Sequence, residues 1–227
     1  MAVPGREKAE LSADQLAPAT SLRARIEQCL RGTQPGHDPD FPYASQFSAE
    51  QLAALRQLVP ANPARAAVLV PLVERPEGLQ VLLTQRASHL KNHPGQISFP
   101  GGRAEEVDAS AIETALRETE EEIGLDRRHI EIVGTLPDYV TGTGYRVTPV
   151  VALITPPFEL TPDANEVAEI FEVPLAFLMD AANHRRLSFD LPEGAGRRSF
   201  YAMPYERFFI WGATAGMLRN LFHFLRA

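Results

Sequence analysis

The sequence predicts an α/β sandwich, and three observations carry that reading: two apolar runs punctuated as a hairpin, a charged amphipathic helix beyond them, and strands mixed with helices to the end of the chain. The apolar runs are AAVLVPLV (66–73) and LQVLLTQR (79–86), joined by the turn Pro76-Glu77-Gly78. The helix is DASAIETALRETEEEIG (108–124), with Asp108 read as its N-cap and Gly124 as its C-terminal stop. At 227 residues, 44% hydrophobic and 22% charged, the chain has the material for one substantial core and is neither disordered nor fibrous.

Residues 1–65 read as an N-terminal helical extension and residues 66–227 as the main domain. Within the extension, SLRARIEQCLRG (21–32) and SAEQLAALRQLV (48–59) have helical patterns, the second opened by Ser48 and Gln51 in the spacing of a capping box. A Gly/Pro-rich stretch from Gly32 to Pro42 separates them, and Pro60 and Pro63 end the extension. After the charged helix, IEIVGTL, YRVTPVVALI and VAEIFEVPL read as strands, followed by a short helix around Leu175–Met179. RSFYAMPY and RFFIWG form a late hairpin, and ATAGMLRNLFHFL is an amphipathic C-terminal helix. Trp211 and the phenylalanines at 208, 209, 222 and 224 fit a core or a dimer seam in preference to stacking on a base, and a homodimer is left open. His184 and His223 have no neighbouring ligand set and read as structural.

The charge balance is 22 − 29 = −7, which works against a sequence-independent grip on nucleic acid or an anionic membrane, and neither is expected as a partner. Cys29 is the only cysteine, so no disulfide framework or thiolate metal cluster forms within the chain. The first residues carry charges where a secretory segment needs an apolar run, and nothing approaches the ~20 apolar residues of a membrane span. A cytoplasmic location is the expectation.

The run Arg117-Glu118-Thr119-Glu120-Glu121-Glu122-Ile123-Gly124-Leu125 carries the chemistry. At ~100° per residue, Glu118, Glu121 and Glu122 share one helix face, beside an apolar stripe of Ile112, Ala115, Leu116, Thr119 and Ile123. Like charges at these spacings destabilise a helix by a few tenths of a kcal/mol each, and a divalent cation would offset that. Oxygen ligands suit Mg²⁺ or Mn²⁺, whereas zinc would call for histidine or cysteine. The alternative is a solvated face supported by the Arg117–Glu121 pair. Phe99-Pro100-Gly101-Gly102 favours the metal reading, because paired glycines between a strand and a helix let backbone approach a phosphate closely.

These residues resemble the signature of the Nudix hydrolase family, G-x5-E-x7-R-E-U-x-E-E-x-G-U, where U is bulky and apolar. Gly102 and the run from Arg117 to Leu125 match it. Two departures stand out: the distance from Gly102 to Arg117 is one residue longer than the general signature, and Thr119 occupies an apolar position. The first box glutamate has no counterpart in register, and Asp108 and Ala109 straddle its place. The preceding stretch LLTQRASHLKNHPGQISFPGG is similar to the motif of the coenzyme A pyrophosphatase subgroup, which tolerates the longer box. Here Lys91 stands where an arginine is usual and Ala87 where a serine is usual.

The resemblance implies a Nudix-like α/β/α sandwich with a mixed sheet, an N-terminal helical extension and a C-terminal helix. It also implies a metal-dependent hydrolase of small-molecule substrates, cleaving coenzyme A or its derivatives to 3′,5′-ADP and 4′-phosphopantetheine. Glu118, Glu122 and Glu121 would hold the metal, and Arg117 would hold the glutamates in place. Arg86, Lys91, His93, Gly101 and Gly102 would contact substrate. The base that takes a proton from water is Glu121 or, from a loop across the cleft, Glu166, with Glu169 next. Two other readings are weighed: hydrolysis of another nucleoside diphosphate derivative such as ADP-ribose, and a non-catalytic nucleotide-sensing module.

Overall fold

The computed structural model describes residues 19–33, 62–141, 143–190 and 197–226. Helix α1 spans Ala19–Leu30, and the chain then runs β1 (Ala64–Arg75), β2 (Gly78–Arg86), β3 (Ile97–Ser98), β4 (Gly101–Arg103), α2 (Ala111–Ile123), β5 (Ile130–Thr135), β6 (Tyr139–Val140) and β7 (Tyr145–Ile154). It continues with β8 (Val167–Pro174), α3 (Leu175–Leu178), β9 (Arg185–Asp190), β10 (Arg197–Tyr205), β11 (Phe208–Trp211) and α4 (Gly212–Phe224). The helix expected at 48–59, with its capping box, lies outside the described residues.

The central sheet is mixed, in the order β3-β2-β1-β7-β5, with β8 on the other edge of β2. β1 and β7 are parallel from Ala64↔Tyr145 to Val73↔Ile154, and the other pairings are antiparallel. The β1–β2 hairpin is registered only near its turn, from Leu72↔Val81 to Arg75↔Gly78. Beyond that the strands part, and β4 pairs with β1 through Ala67↔Gly102 and Val68↔Gly101. This parting brings the glycine turn into the sheet, under the carboxylate helix.

The period-2 alternation of the strands divides the core into two layers. Val70, Leu72, Val81, Leu83, Val151 and Leu153 face a cluster closed by α1, α4 and the small sheet β11-β10-β9. Leu69, Val73, Leu82, Val150, Ala152 and Ile154 face the other way, against Ala115 and Ile123 of α2. The α/β/α sandwich with a mixed sheet, an N-terminal helix and a C-terminal helix is therefore the observed architecture. Helix α1 contributes the fully buried Ile26 and Leu30 to the first cluster. Just beyond it, Thr33 Oγ1 donates to the carbonyl of Thr135 at 2.9 Å and accepts the Thr135 N–H at 2.8 Å, tying α1 to β5.

Three local expectations are corrected. The N-cap of α2 is Ser110, whose Oγ accepts from the Glu113 N–H at 3.2 Å. Asp108 is unavailable for capping because Arg117 and Thr114 occupy its carboxylate. The late hairpin gains a third strand, β9, whose sequence Arg-Arg-Leu-Ser-Phe-Asp lacks a run of apolar residues to announce it. The late aromatics also divide: Phe208 and Phe222 are core, whereas Phe209 and Trp211 are exposed.

Candidate active site

Helix α2 ends at Gly124, whose φ of 67° lets its N–H bond back to the carbonyl of Glu120. Its buried side is Thr114, Ala115, Leu116, Thr119, Glu122 and Ile123. Thr119 tolerates its apolar position because its hydroxyl donates to the carbonyl of Ala115 at 2.6 Å, satisfying the polar atom within the helix. Glu122 is the one charged member of that face.

The Glu122 carboxylate is held between two donors. Gly101 N–H donates to Oε2 at 3.1 Å, and Arg86 Nη1 lies 3.8 Å from Oε1. Burial is the main cause that pushes the Glu122 carboxyl up to about 7, aided by the negative charges of Glu166 and Glu118; the Gly101 N–H and Arg86 act in the opposite direction. Glu118 is raised as well, first by burial and then by Glu121 and Glu166, against the pull of Arg117. Glu166 is exposed at the start of β8, and its main-chain carbonyl accepts the Ala87 N–H next to Arg86. Its charge acts on both Glu118 and Glu122 from outside the helix.

The two glycines make room for different neighbours, backbone at Gly101 and a side-chain carboxylate at Gly102. Gly101 has φ of +147°, and a Cβ there would lie 2.4 Å from the carbonyl oxygen of Ala67. A Cβ on Gly102 would lie 2.4 Å from Glu118 Oε2. The Glu118 carboxylate thus rests on the bare backbone of Gly102.

Arg117 organises the polar flank. Its Nε and Nη2 donate to the two oxygens of Asp108 at 2.9 Å each, a bidentate pair. Nη1 donates to Glu118 Oε1 at 3.0 Å and to Glu121 Oε2 at 2.9 Å, and Nη2 also reaches the Arg103 carbonyl at 3.2 Å. The guanidinium holds Asp108 well below the usual carboxylate range, and Asp108 raises Arg117 in turn. Sequence reasoning left Asp108 as a cap beside an empty signature position. The structure makes it the carboxylate that orients Arg117, and the one-residue-longer spacing from Gly102 was the available signal.

Of the predicted site residues, Arg86, Gly101, Gly102, Glu118, Glu122 and Arg117 come together. Glu121 joins through Arg117 but points outward, its side chain 60% exposed against 17% for Glu118. Lys91 and His93 are exposed on the loop between β2 and β3 and make no contact with the carboxylates. Glu169 pairs with Arg207, which commits it outside the glutamate cluster.

Among the described residues, no group of three or more acidic, histidine or cysteine side chains forms a ready-made metal cage. The donor chemistry nevertheless suits a hard divalent cation. Glu122 is a buried and Glu118 a half-buried carboxylate, both with raised pKa values and an all-oxygen character, and Mg²⁺ is commonly held by one or two carboxylates together with substrate phosphates.

The Nudix domain family matches residues 63–191, and the chain belongs to the Nudix hydrolase family. Enzymes of this family typically use a divalent metal. The chain is 44% identical over 161 residues to the uncharacterized Nudix hydrolase NudL of Escherichia coli (strain K12), covering 70% of this chain and 82% of the relative. The protein of the same name from Shigella flexneri is 43% identical over 163 residues, with 71% and 83% covered. A solved MutT/nudix family protein from Enterococcus faecalis superposes with a TM-score of 0.45 at 18% identity, over 78% of this chain and 69% of that one.

Proposed function

We propose that this Nudix protein is a divalent-metal-dependent pyrophosphohydrolase acting on coenzyme A or its derivatives, releasing 3′,5′-ADP and 4′-phosphopantetheine or its acyl form. The observation that carries the reading is the contact of two segments. The stretch LLTQRASHLKNHPGQISFPGG, similar to the coenzyme A pyrophosphatase motif, meets the carboxylate helix through Arg86 and through the Gly101 N–H, both on Glu122.

Glu118 and Glu122 would hold Mg²⁺ or Mn²⁺, with Glu121 available if it leaves Arg117. When bound, the cation supplies positive charge to the phosphate oxygens and makes water easier to deprotonate. The chain's own groups do the rest. Arg86 binds a phosphate oxygen and, with the Gly101–Gly102 backbone, fixes the pyrophosphate against the helix. Arg117, braced by Asp108, keeps Glu118 on Gly102. Glu166 takes the proton from the attacking water, since it is the exposed carboxylate whose charge reaches both Glu118 and Glu122.

Incubation with coenzyme A, ADP-ribose and NADH, with Mg²⁺, with Mn²⁺ and with EDTA, followed by product chromatography, tests the substrate. Formation of 3′,5′-ADP only with metal is expected. Turnover of ADP-ribose but not of coenzyme A would replace the reading. For the base, Glu166→Gln should lower kcat by ~10²–10⁴-fold with metal affinity nearly unchanged. An active Glu166→Gln enzyme, beside a Glu121→Gln enzyme that excess metal cannot rescue, would move the role to Glu121.

A further inference from the structure

The small sheet departs from the pattern in which an antiparallel sheet turns apolar residues inward and polar ones to water. One face is core, with Met203, Phe208 and Ile210 buried. The opposite face is apolar too: Phe209 is 44% and Trp211 38% exposed, and Phe200 meets Trp211 edge to face with ring centroids 5.5 Å apart. The register sets Arg185, Ala202 and Trp211 in one cross-strand row, Ala202 being the partner of both. Ala202 is fully covered, while Arg185 is exposed and has no side-chain partner among the described residues.

This row adjoins the loop that leads to the site. Trp211 is followed by Gly212, where a Cβ would lie 3.3 Å from Gln96 Nε2. Two residues on, Thr214 Oγ1 donates to the Ile97 carbonyl at 2.9 Å. The Gln96 carbonyl accepts the N–H of Arg86 at 3.0 Å, and Arg86 faces Glu122. An aromatic surface and a cation therefore stand at one end of a continuous path whose other end is the carboxylate helix.

We propose that the Arg185–Trp211 row is a subsite for the 3′-phosphorylated adenosine end of the substrate, the base lying on the Trp211 indole and the phosphate monoester on the Arg185 guanidinium. The proposal rests on the coenzyme A reading. A planar base matches a flat, open aromatic surface, and a phosphate gives a guanidinium a bidentate partner. A purely apolar occupant would instead cover Arg185 without a counter-charge.

Trp211 is the only tryptophan in the chain, so its emission reports this site directly. The full chain in EDTA is titrated with 3′,5′-ADP, AMP and 4′-phosphopantetheine. Saturable quenching by 3′,5′-ADP and none by 4′-phosphopantetheine is expected. Arg185→Gln should weaken 3′,5′-ADP about tenfold and AMP by less than about twofold, as loss of one charge-assisted contact predicts. With Mg²⁺, Trp211→Ala should raise KM for coenzyme A more than it lowers kcat, and Trp211→Phe should retain most of the affinity. Coenzyme A hydrolysis with Trp211 emission unmoved by either coenzyme A or 3′,5′-ADP would overturn the subsite. So would a wild-type dimer that Trp211→Ala dissociates, because the row would then be a self-interface. Quenching by 3′,5′-ADP without coenzyme A hydrolysis would keep the subsite and remove the coenzyme A reading.

Discussion

The two faces of the central sheet are built by opposite rules. On one, α1, α4 and the small sheet bury a large apolar cluster in which Ile26, Leu30, Leu72, Leu83, Leu153 and Leu218 are fully covered. On the other, α2 closes a smaller cluster with one flank and, with the next, buries Glu122 and half-buries Glu118, both at raised pKa. The first face gains stability from every residue it buries. The second tolerates an unfavourable charge because the neighbouring apolar packing of Ala115 and Ile123 holds the helix in place. Stability and chemistry are thus separated by the thickness of one sheet, and substitutions on the two sides should fail in different ways.

The largest effect is expected at Glu122, where the two properties should move in opposite directions. Glu122→Gln removes a buried charge while leaving an oxygen to accept the Gly101 N–H. It should cost a hundredfold or more in kcat. In EDTA at pH 8, where the wild-type group is ionised, the variant should be more stable by on the order of 1–3 kcal/mol, as judged by denaturant unfolding. A variant that is less stable and keeps more than half of wild-type kcat would erase the contrast between the faces.

Leu30→Ala is the counterpart on the apolar side. It empties a fully buried site between α1 and the sheet and should cost about 2–5 kcal/mol of stability. The folded variant should keep kcat within about twofold, because among the described residues no hydrogen bond or ion pair joins α1 to Arg86, Glu118 or Glu122. A large loss of kcat at unchanged KM in the folded fraction would mean that α1 positions the site as well as closing the core.

A smaller loss should follow from releasing the brace. Asp108→Asn removes the bidentate partner of Arg117, which then has Glu118, Glu121 and the Arg103 carbonyl as its remaining acceptors. Removing a group that orients metal-binding carboxylates typically costs ~10–100-fold in metal affinity or activity. Partial recovery with Asp108→Glu, measured as apparent affinity for Mg²⁺, would distinguish orientation of Arg117 from a general folding defect.

How much of this was legible in the sequence depended on whether a feature is local. The hairpin, the strand of residues 145–154 and helix α2 announce themselves through periodicity, turn residues and Gly124, and each appears close to its expected bounds. The gathering of Arg86, Gly102, Glu118 and Glu122 was legible because two adjoining motifs, which meet at Gly102, contain them all. The role of Asp108 was not, since a capping pattern and an ion pair nine residues away use the same carboxylate. Nor was the Arg185–Ala202–Trp211 row, which exists only once β9, β10 and β11 are in register. The exposure of Trp211 follows from that register: Met203, Phe208 and Ile210 take the core face, leaving residue 211 on the other.

The smallest effect expected concerns His184, an ionisable group half-buried on the apolar side. His184 Nε2 lies 2.7 Å from the carbonyl of Leu178 and Nδ1 lies 3.2 Å from Arg219 Nη1, so the neutral ring donates through one nitrogen and accepts through the other. Phe222 packs against it edge to face at 4.8 Å. Burial lowers its pKa first, with Arg219 and Arg226 acting in the same direction against the Leu178 carbonyl and Asp180. Because the folded pKa is below the unfolded value of about 6.5, the unfolded chain binds the proton more readily. The neutral ring's contribution is therefore complete above about pH 6.5 and is lost as pH falls through the depressed folded value. His184→Gln keeps a donor for Leu178 and an acceptor for Arg219 without titrating. Between pH 7 and pH 5 the wild type should lose more in Tm than this variant. Parallel Tm curves for the two proteins would show that His184 is charged in the folded state, and the apolar side would then carry an ion after all.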